Sequence, residues 1–200
     1  MPSATQKNPK GNATRQRLLD VGAELCQTVG YNAFSYRHLA ERLDIKTATI
    51  HYYFPSKADL GRELMADYRV ATSEATAALD RAGLGALDKL RRFAEVFVGT
   101  FENGGRLCLC GSFAADYQTL PEEIQEEVRG YFEDNEGWLT RVLEEGRRLG
   151  EISFDGESIE VAKTFFTALE GAMLAARAFS DPQRLTRTAD YWLGLLGQAA

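Results

Sequence analysis

The chain has 200 residues, 44% of them hydrophobic, and a formal net charge of −6 at pH 7. No apolar run approaches the ~18 residues a membrane span needs, residues 1–17 hold no apolar segment of the secretory-leader kind, and three cysteines do not suggest a disulfide framework. A cytoplasmic protein is expected, with room for one large domain or a small domain joined to a larger one.

The charge is segregated along the chain. Residues 1–57 hold eight Lys or Arg against four Asp or Glu, a balance of +4. Residues 58–200 hold fifteen against twenty-five, a balance of −10. A basic segment on an acidic body fits a nucleic-acid reader attached to a larger module. In counts this small, chance is the competing explanation.

Residues 1–11 carry Pro, Ser, Gly, Asn and Lys with no periodic apolar pattern, and are expected to form a flexible arm; contact of Lys7 and Lys10 with phosphates and a merely solvated tail are equal alternatives. Over 14–29, Leu18, Leu19, Ala23, Leu25 and Cys26 recur at helical spacing among charged residues. Gly30 suits the left-handed conformation that ends a helix. Ser35 is a good N-cap for a short second helix over 36–43. A turn at Asp44 leads to a third short helix over 46–53, stopped by Pro55. Two short helices joined by a tight turn, behind a longer one, make the layout of a helix-turn-helix DNA reader.

These residues carry a resemblance. The stretch AFSYRHLAERLDIKTATIHYYFPSKADL is similar to the N-terminal domain of the TetR family of bacterial transcriptional regulators. That family has a capping Thr or Ser, a mid-helix Ala, a Gly-Val-Ser turn and a Thr-Leu-Tyr-x-x-Phe run followed by Lys. Here the slots hold Ser35, Ala40, Asp44-Ile45-Lys46, Thr49-Ile50-His51, Phe54 and Lys57. Asp44 departs from the usual Gly, and His51 from the usual Tyr. Asp tolerates left-handed backbone better than most residues, so the turn should survive. His51 changes the expected base preference rather than the fold.

The resemblance implies a DNA-contacting set of Ser35, Tyr36, Arg37, Lys46, Thr47, Ala48, Thr49, His51, Tyr52, Tyr53 and Lys57. Ile45, Ile50 and Phe54 should pack inward, leaving Thr47, Ala48 and His51 for the major groove. Tyr52 and Tyr53 offer hydroxyls to phosphates, and Lys57 would meet a phosphate at the start of the next helix. Packing alone is the competing role for Tyr53, and an ion pair within its own helix for Arg37.

Ser56 should cap a long fourth helix over 57–81 that crosses from reader to body. A fifth, over 84–103, carries Phe93, Phe97 and Phe101 at successive turns, a stripe that fits either core or pocket lining. Candidate pocket residues are these three with Arg106, Cys108, Phe113, Tyr117, Trp138, Phe165 and Leu169. Asp116 is a further polar anchor. Cys108 and Cys110 then leave three readings open. A metal site lacks further ligands. A thiol sensor needs a pKa lowered by a cation such as Arg106 or by a helix N-terminus. A buried apolar pair needs neither. CLCGSFAADYQTLP resembles the family branch that includes regulators of acrylate use and electrophile defence.

Pro121, Glu122 and Glu123 open a long seventh helix, and Arg147, Arg148 and Gly150 close it. An eighth over 157–179 and a ninth over 182–198 finish the chain. The eighth is apolar on more than one face, so it needs two partners. The resemblance implies a four-helix homodimer interface, with Ala168, Gly171, Ala172, Ala175, Ala176, Trp192 and Leu195 as its candidates; a monomer with a thick core is the competing reading.

The expectation is an all-α protein of about nine helices: an arm (1–11), a reader (12–57) and a ligand-binding and dimerisation body (58–200). Its function would be that of a ligand-responsive regulator, a repressor holding a palindromic operator as a homodimer and released by a small-molecule effector. No metal or cofactor is expected. An enzyme with a thiol nucleophile at Cys108 or Cys110 would need a base, yet His38 and His51 both lie in the reader. An architectural DNA binder without effector is the third alternative.

Overall fold

The computed structural model describes residues 9–197, with side chains from Gly11 onward. Residues 1–8 of the expected arm, Lys7 among them, lie outside that range, as does the side chain of Lys10. Residues 9–11 are helical rather than part of an arm, because the first helix begins at Pro9. Among the described residues nine α-helices and no strand occur. They are α1 Pro9–Val29, α2 Tyr36–Leu43, α3 Thr47–Tyr53, α4 Lys57–Arg81, α5 Ala86–Glu102, α6 Leu109–Ala115, α7 Glu122–Leu149, α8 Ser158–Phe179 and α9 Gln183–Leu196. One 3-10 turn, Tyr117–Thr119, joins α6 to α7. No helix is long and apolar enough to cross a membrane among the residues described.

Local chemistry sets the boundaries. Asp44 closes α2 in the left-handed conformation (φ 52°, ψ 51°), the geometry that Gly would supply at less cost. Ser56 caps α4: its hydroxyl accepts from the Asp59 N–H, and the Asp59 carboxylate accepts from the Ser56 N–H at 2.9 Å. α7 starts with Glu122 and Glu123 at its positive end and finishes with Arg147 and Arg148 before left-handed Gly150.

α1, α2 and α3 share a core of Leu18, Leu39, Ile50 and Phe54, all buried. The body packs α7 against α4 and α8, and α8 against α9. Its centre is aromatic. The Phe93 ring lies 5.6 Å from Trp138, 5.5 Å from Phe97, 5.9 Å from Phe166 and 6.5 Å from Phe165. Spacings of this order are those at which ring quadrupoles attract.

The outer side of α8 and α9 is apolar and open. Leu174 is 53% exposed, Tyr191 67% and Leu195 45%. Gly171 is exposed beside them, and Ala168 and Ala175 are half-buried. The small-residue stripe divides here. Ala176 is fully buried within the protomer, while Ala172, mostly buried, still borders an open groove beside Ala175 and Tyr191. Trp192 is half-buried, its ring 6.0 Å from Phe165, and serves the protomer's own core.

Candidate functional site

α3 is two turns long and sharply two-sided. Ile50 is fully buried, Ile45 is partly so, and Phe54 seals the end. Lys46, Thr47, Ala48, His51 and Tyr52 are exposed, Tyr52 to 81%. Thr49 is half-buried at the edge of this face. The open face thus offers short side chains flanked by a cation, the composition that base edges and phosphates accept. The His51 Nδ1 lies 3.1 Å from the Pro55 carbonyl. In the tautomer that donates to that carbonyl, Nε2 remains as an acceptor. The ring edge also rests on Tyr36, with centroids 4.9 Å apart.

The remaining candidates of the reader divide. Arg37 is exposed on α2 and pairs loosely with Glu41 at 3.6 Å, so it can turn to a phosphate at little cost. Ser35 is the N-cap of α2, and its N–H donates to His38 Nδ1 at 3.1 Å. Tyr36 is not free for DNA. Its hydroxyl donates to the carbonyl of Phe54 or Ser56, tying α2 to the α3–α4 connection. Tyr53 packs against the core and edge-on to Tyr52.

Lys57 differs most from expectation. Its ammonium turns inward and donates to the Phe34 carbonyl at 2.6 Å. It also lies 4.5 Å from the ring centres of both Tyr31 and Phe34. Partial burial lowers its pKa. The carbonyl and two ring faces form a cation seat that a phosphate would have to outbid. Lys57 therefore acts as a strut between the start of α4 and the α1–α2 loop.

The reader is bolted to the body around α6. The Leu107 N–H donates to the Gln27 carbonyl at 3.1 Å, and the Asp116 carboxylate accepts from the Asn32 N–H at 3.0 Å. Arg106 pairs with Glu24 at 2.9 Å. Arg177, from α8, donates to the carbonyls of Gln27 at 2.6 Å and Gly105 at 3.1 Å. The sequence reading missed Arg177; it appears there as one basic residue near the end of a helix, with nothing to mark its reach to α1.

The expected pocket is filled. Phe93, Phe97, Phe101, Phe113, Trp138, Phe165 and Leu169 are all buried side chains of the body's core. Arg106 is engaged by Glu24, and the Tyr117 hydroxyl accepts from Arg129 at 2.6 Å. Of these residues Trp138 borders an open groove between α4 and α7 and Phe101 another near the end of α8, and a further opening lies beside the core. A cavity of about 210 Å³ sits between α6, α7 and α8, bordered by Leu107, Gly111, Ala114, Ala115, Phe132, Met173, Glu170 and, at its rim, the exposed Leu174. None of the ten expected residues lines it.

Glu170 is its one charged lining group. Burial pushes this carboxyl up to about 7, and a hydrogen bond with Cys108 opposes the rise. Gly111 makes room for it, since a Cβ there would collide with the carboxylate. Glu170 shares a helical face with Phe166 and Met173, both buried. A charge on that face of an apolar helix was the available sequence signal.

Cys108 and Cys110 are buried, and burial pushes both thiols well above their ordinary pKa. Glu170 pushes the Cys108 thiol the same way. The Tyr68 hydroxyl lies 3.6 Å from its sulfur. The cation expected beside it, Arg106, is committed to Glu24, so the environment opposes a thiolate. Among the described residues no three His, Cys, Asp or Glu side chains are grouped to hold a metal ion.

Comparison with known proteins follows the same division. Residues 18–64 match the family model described as bacterial regulatory proteins, tetR family, and residues 86–192 match the tetracyclin repressor-like C-terminal domain. The transcriptional regulator AcuR of Cereibacter sphaeroides is 26% identical over 189 residues, 90% of this chain and 85% of that protein. The repressor NemR of Escherichia coli is 23% identical over 167 residues, 82% of this chain and 84% of that one. A TetR-family regulator from Agrobacterium tumefaciens, known by crystal structure, is 30% identical and superposes with a TM-score of 0.90 over 94% of this chain and 99% of its own.

Proposed function

The chain belongs to the TetR family of bacterial transcriptional regulators, and from that premise we propose that it is a homodimeric repressor released from a palindromic operator by a small molecule. The observation that carries the DNA half is the open face of α3, held rigid by Ile50 and Phe54 beneath it. In this reading residues 12–57 form the reader and 58–200 the body. Thr47, Ala48 and His51 contact bases, while Arg37, Lys46 and Tyr52 contact phosphates.

Dimerisation would use the open face of α8 and α9: Leu174, Tyr191, Leu195, Gly171, and the half-buried Ala168 and Ala175. Small residues let two such helices approach closely. A two-fold dimer also answers a two-half-site operator. The effector half rests on the cavity beside Glu170, whose lining is apolar apart from that one carboxyl, whereas the groove that Trp138 borders is lined mostly by polar and charged side chains of α4 and α7. A ligand there can release DNA only by its differential affinity for the bound and free conformations.

The contact assignments are tested by fluorescence anisotropy on a duplex from the chain's own upstream region. Lys46→Ala and Arg37→Ala should each weaken binding by a similar factor on matched and scrambled duplexes, and each should lower the slope of log affinity against log salt by about 0.9. Thr47→Ala should instead change which duplex is preferred. Unchanged affinities and salt slopes in both Lys46→Ala and Arg37→Ala would remove α2 and α3 from the interface.

A further inference from the structure

We infer that the cavity between α6, α7 and α8 is a binding site for a small aliphatic amine, held as its ammonium ion by Glu170. The inference rests on the regulator reading, because it takes this cavity as the effector's. The lining sets the ligand's body. Leu107, Ala114, Phe132 and Met173 are apolar, and about 210 Å³ admits only a small molecule.

Glu170 sets its head. The Oε1 atom has no hydrogen-bond partner and is covered by protein, so a ligand in the cavity meets it as the side chain turns outward. The carboxyl accepts from the Cys108 thiol, a weak donor. Among the described residues no Lys or Arg pairs with it. Arg106, on the segment before α6, is bound to Glu24, and Arg177, on α8, is bound to backbone carbonyls of Gln27 and Gly105. A buried acceptor left without a donor is costly, and a charged donor delivered by a ligand relieves that cost. An anionic ligand would face the carboxylate directly and be repelled. The chemistry selects an amine over an alcohol, and either over an acid.

The same cavity borders the joint with the reader. Gly111 and Ala114 are on α6, and the two ends of that helix are tied to Gln27 and Asn32. An ammonium that draws Glu170 toward the cavity, with a body resting on α6, loads the one short helix bonded to both the end of α1 and the loop before α2. Occupancy and reader position are thereby linked through contiguous contacts.

The test is calorimetric titration of the full-length protein with n-butylamine, 1-butanol and n-butyrate at pH 7.5. The wild type should bind n-butylamine at least about tenfold tighter than 1-butanol, the span of one charge-assisted hydrogen bond, and n-butyrate weakest. Glu170→Gln, which keeps the shape, should bind the amine and the alcohol alike and keep its melting temperature. Ala114→Leu, which fills the cavity and spares the carboxylate, should bind none of the three. Equal binding of amine and acid, an amine preference that survives in Glu170→Gln, or no binding of any probe to the wild type would overturn the site. DNA binding by the same preparations is scored separately. A protein blind to amines that still selects its operator overturns this inference and leaves the regulator reading standing.

Discussion

Leu174→Glu should turn a dimer into a monomer in sedimentation velocity, with its helix content unchanged. Leu174 is 53% exposed on the protomer, so a carboxylate there meets water and costs the fold little. Across a two-fold axis the same substitution acts twice. It places like charges near one another in an apolar contact and leaves each without a partner. Loss of the dimer removes the second reader from each binding event. Bivalent binding exceeds a single contact by ~10²–10⁴, so operator affinity should fall by at least about a hundredfold. Ala176→Glu is the contrasting case. Ala176 is fully buried inside the protomer, and a charge there should unfold the helix pair before it affects pairing. A Leu174→Glu protein that stays dimeric and binds DNA normally would move the interface elsewhere.

The second large effect is on stability. Phe93→Ala should cost about 3–5 kcal/mol of unfolding free energy in a urea titration, the range for truncating a buried ring. Phe93 stands among Phe97, Trp138, Phe165 and Phe166, and the void left by its removal borders all four. Phe93→Leu keeps most of the volume and should cost less than half as much. A ring lining an open pocket would behave differently: truncation would cost little stability and enlarge the ligand site. A loss below about 1 kcal/mol would restore Phe93 to the pocket.

The contrast between these two residues shows what the sequence could and could not convey. Helix count and boundaries were legible because local chemistry writes them. Asp44, Ser56, Pro121 and Gly150 each act within a few residues of where they stand. The two-sidedness of α3 was legible for the same reason, since Ile45, Ile50 and Phe54 mark its inner side at helical spacing.

What lay beyond reach were the partners brought by the fold. Periodicity identifies the buried face of α5 but does not say whether Phe93 meets rings or empty space. Lys57 reads as a cation at a helix start; the carbonyl that claims it belongs to Phe34, 23 residues earlier. The stripe Ala168, Gly171, Ala172, Ala175, Ala176 fits an internal and an external contact equally, and the protomer uses Ala176 for the former. Glu170 went unremarked because a single acidic residue on an apolar helix looks like a solvated edge until α6 is laid over it.

The reader's mode of action then follows from where it is held. The hydrogen bonds to the body are made at the end of α1, where the Gln27 carbonyl accepts, and in the loop before α2, where the Asn32 N–H donates. In the proposed reading, the load on α3 passes through α1, α2 and the start of α4, where Tyr36 and Lys57 tie the segments together.

The central claim is that two copies of this reader hold one symmetric site. Selection of bound duplexes from a random-sequence pool by the purified protein, followed by the stoichiometry of the winning duplex in sedimentation equilibrium, tests it most directly. The account predicts an inverted repeat whose half-sites lie about one helical turn apart, or a multiple of it, with two protomers for each repeat. Enrichment of no sequence, or of an asymmetric site filled by one protomer, would contradict it.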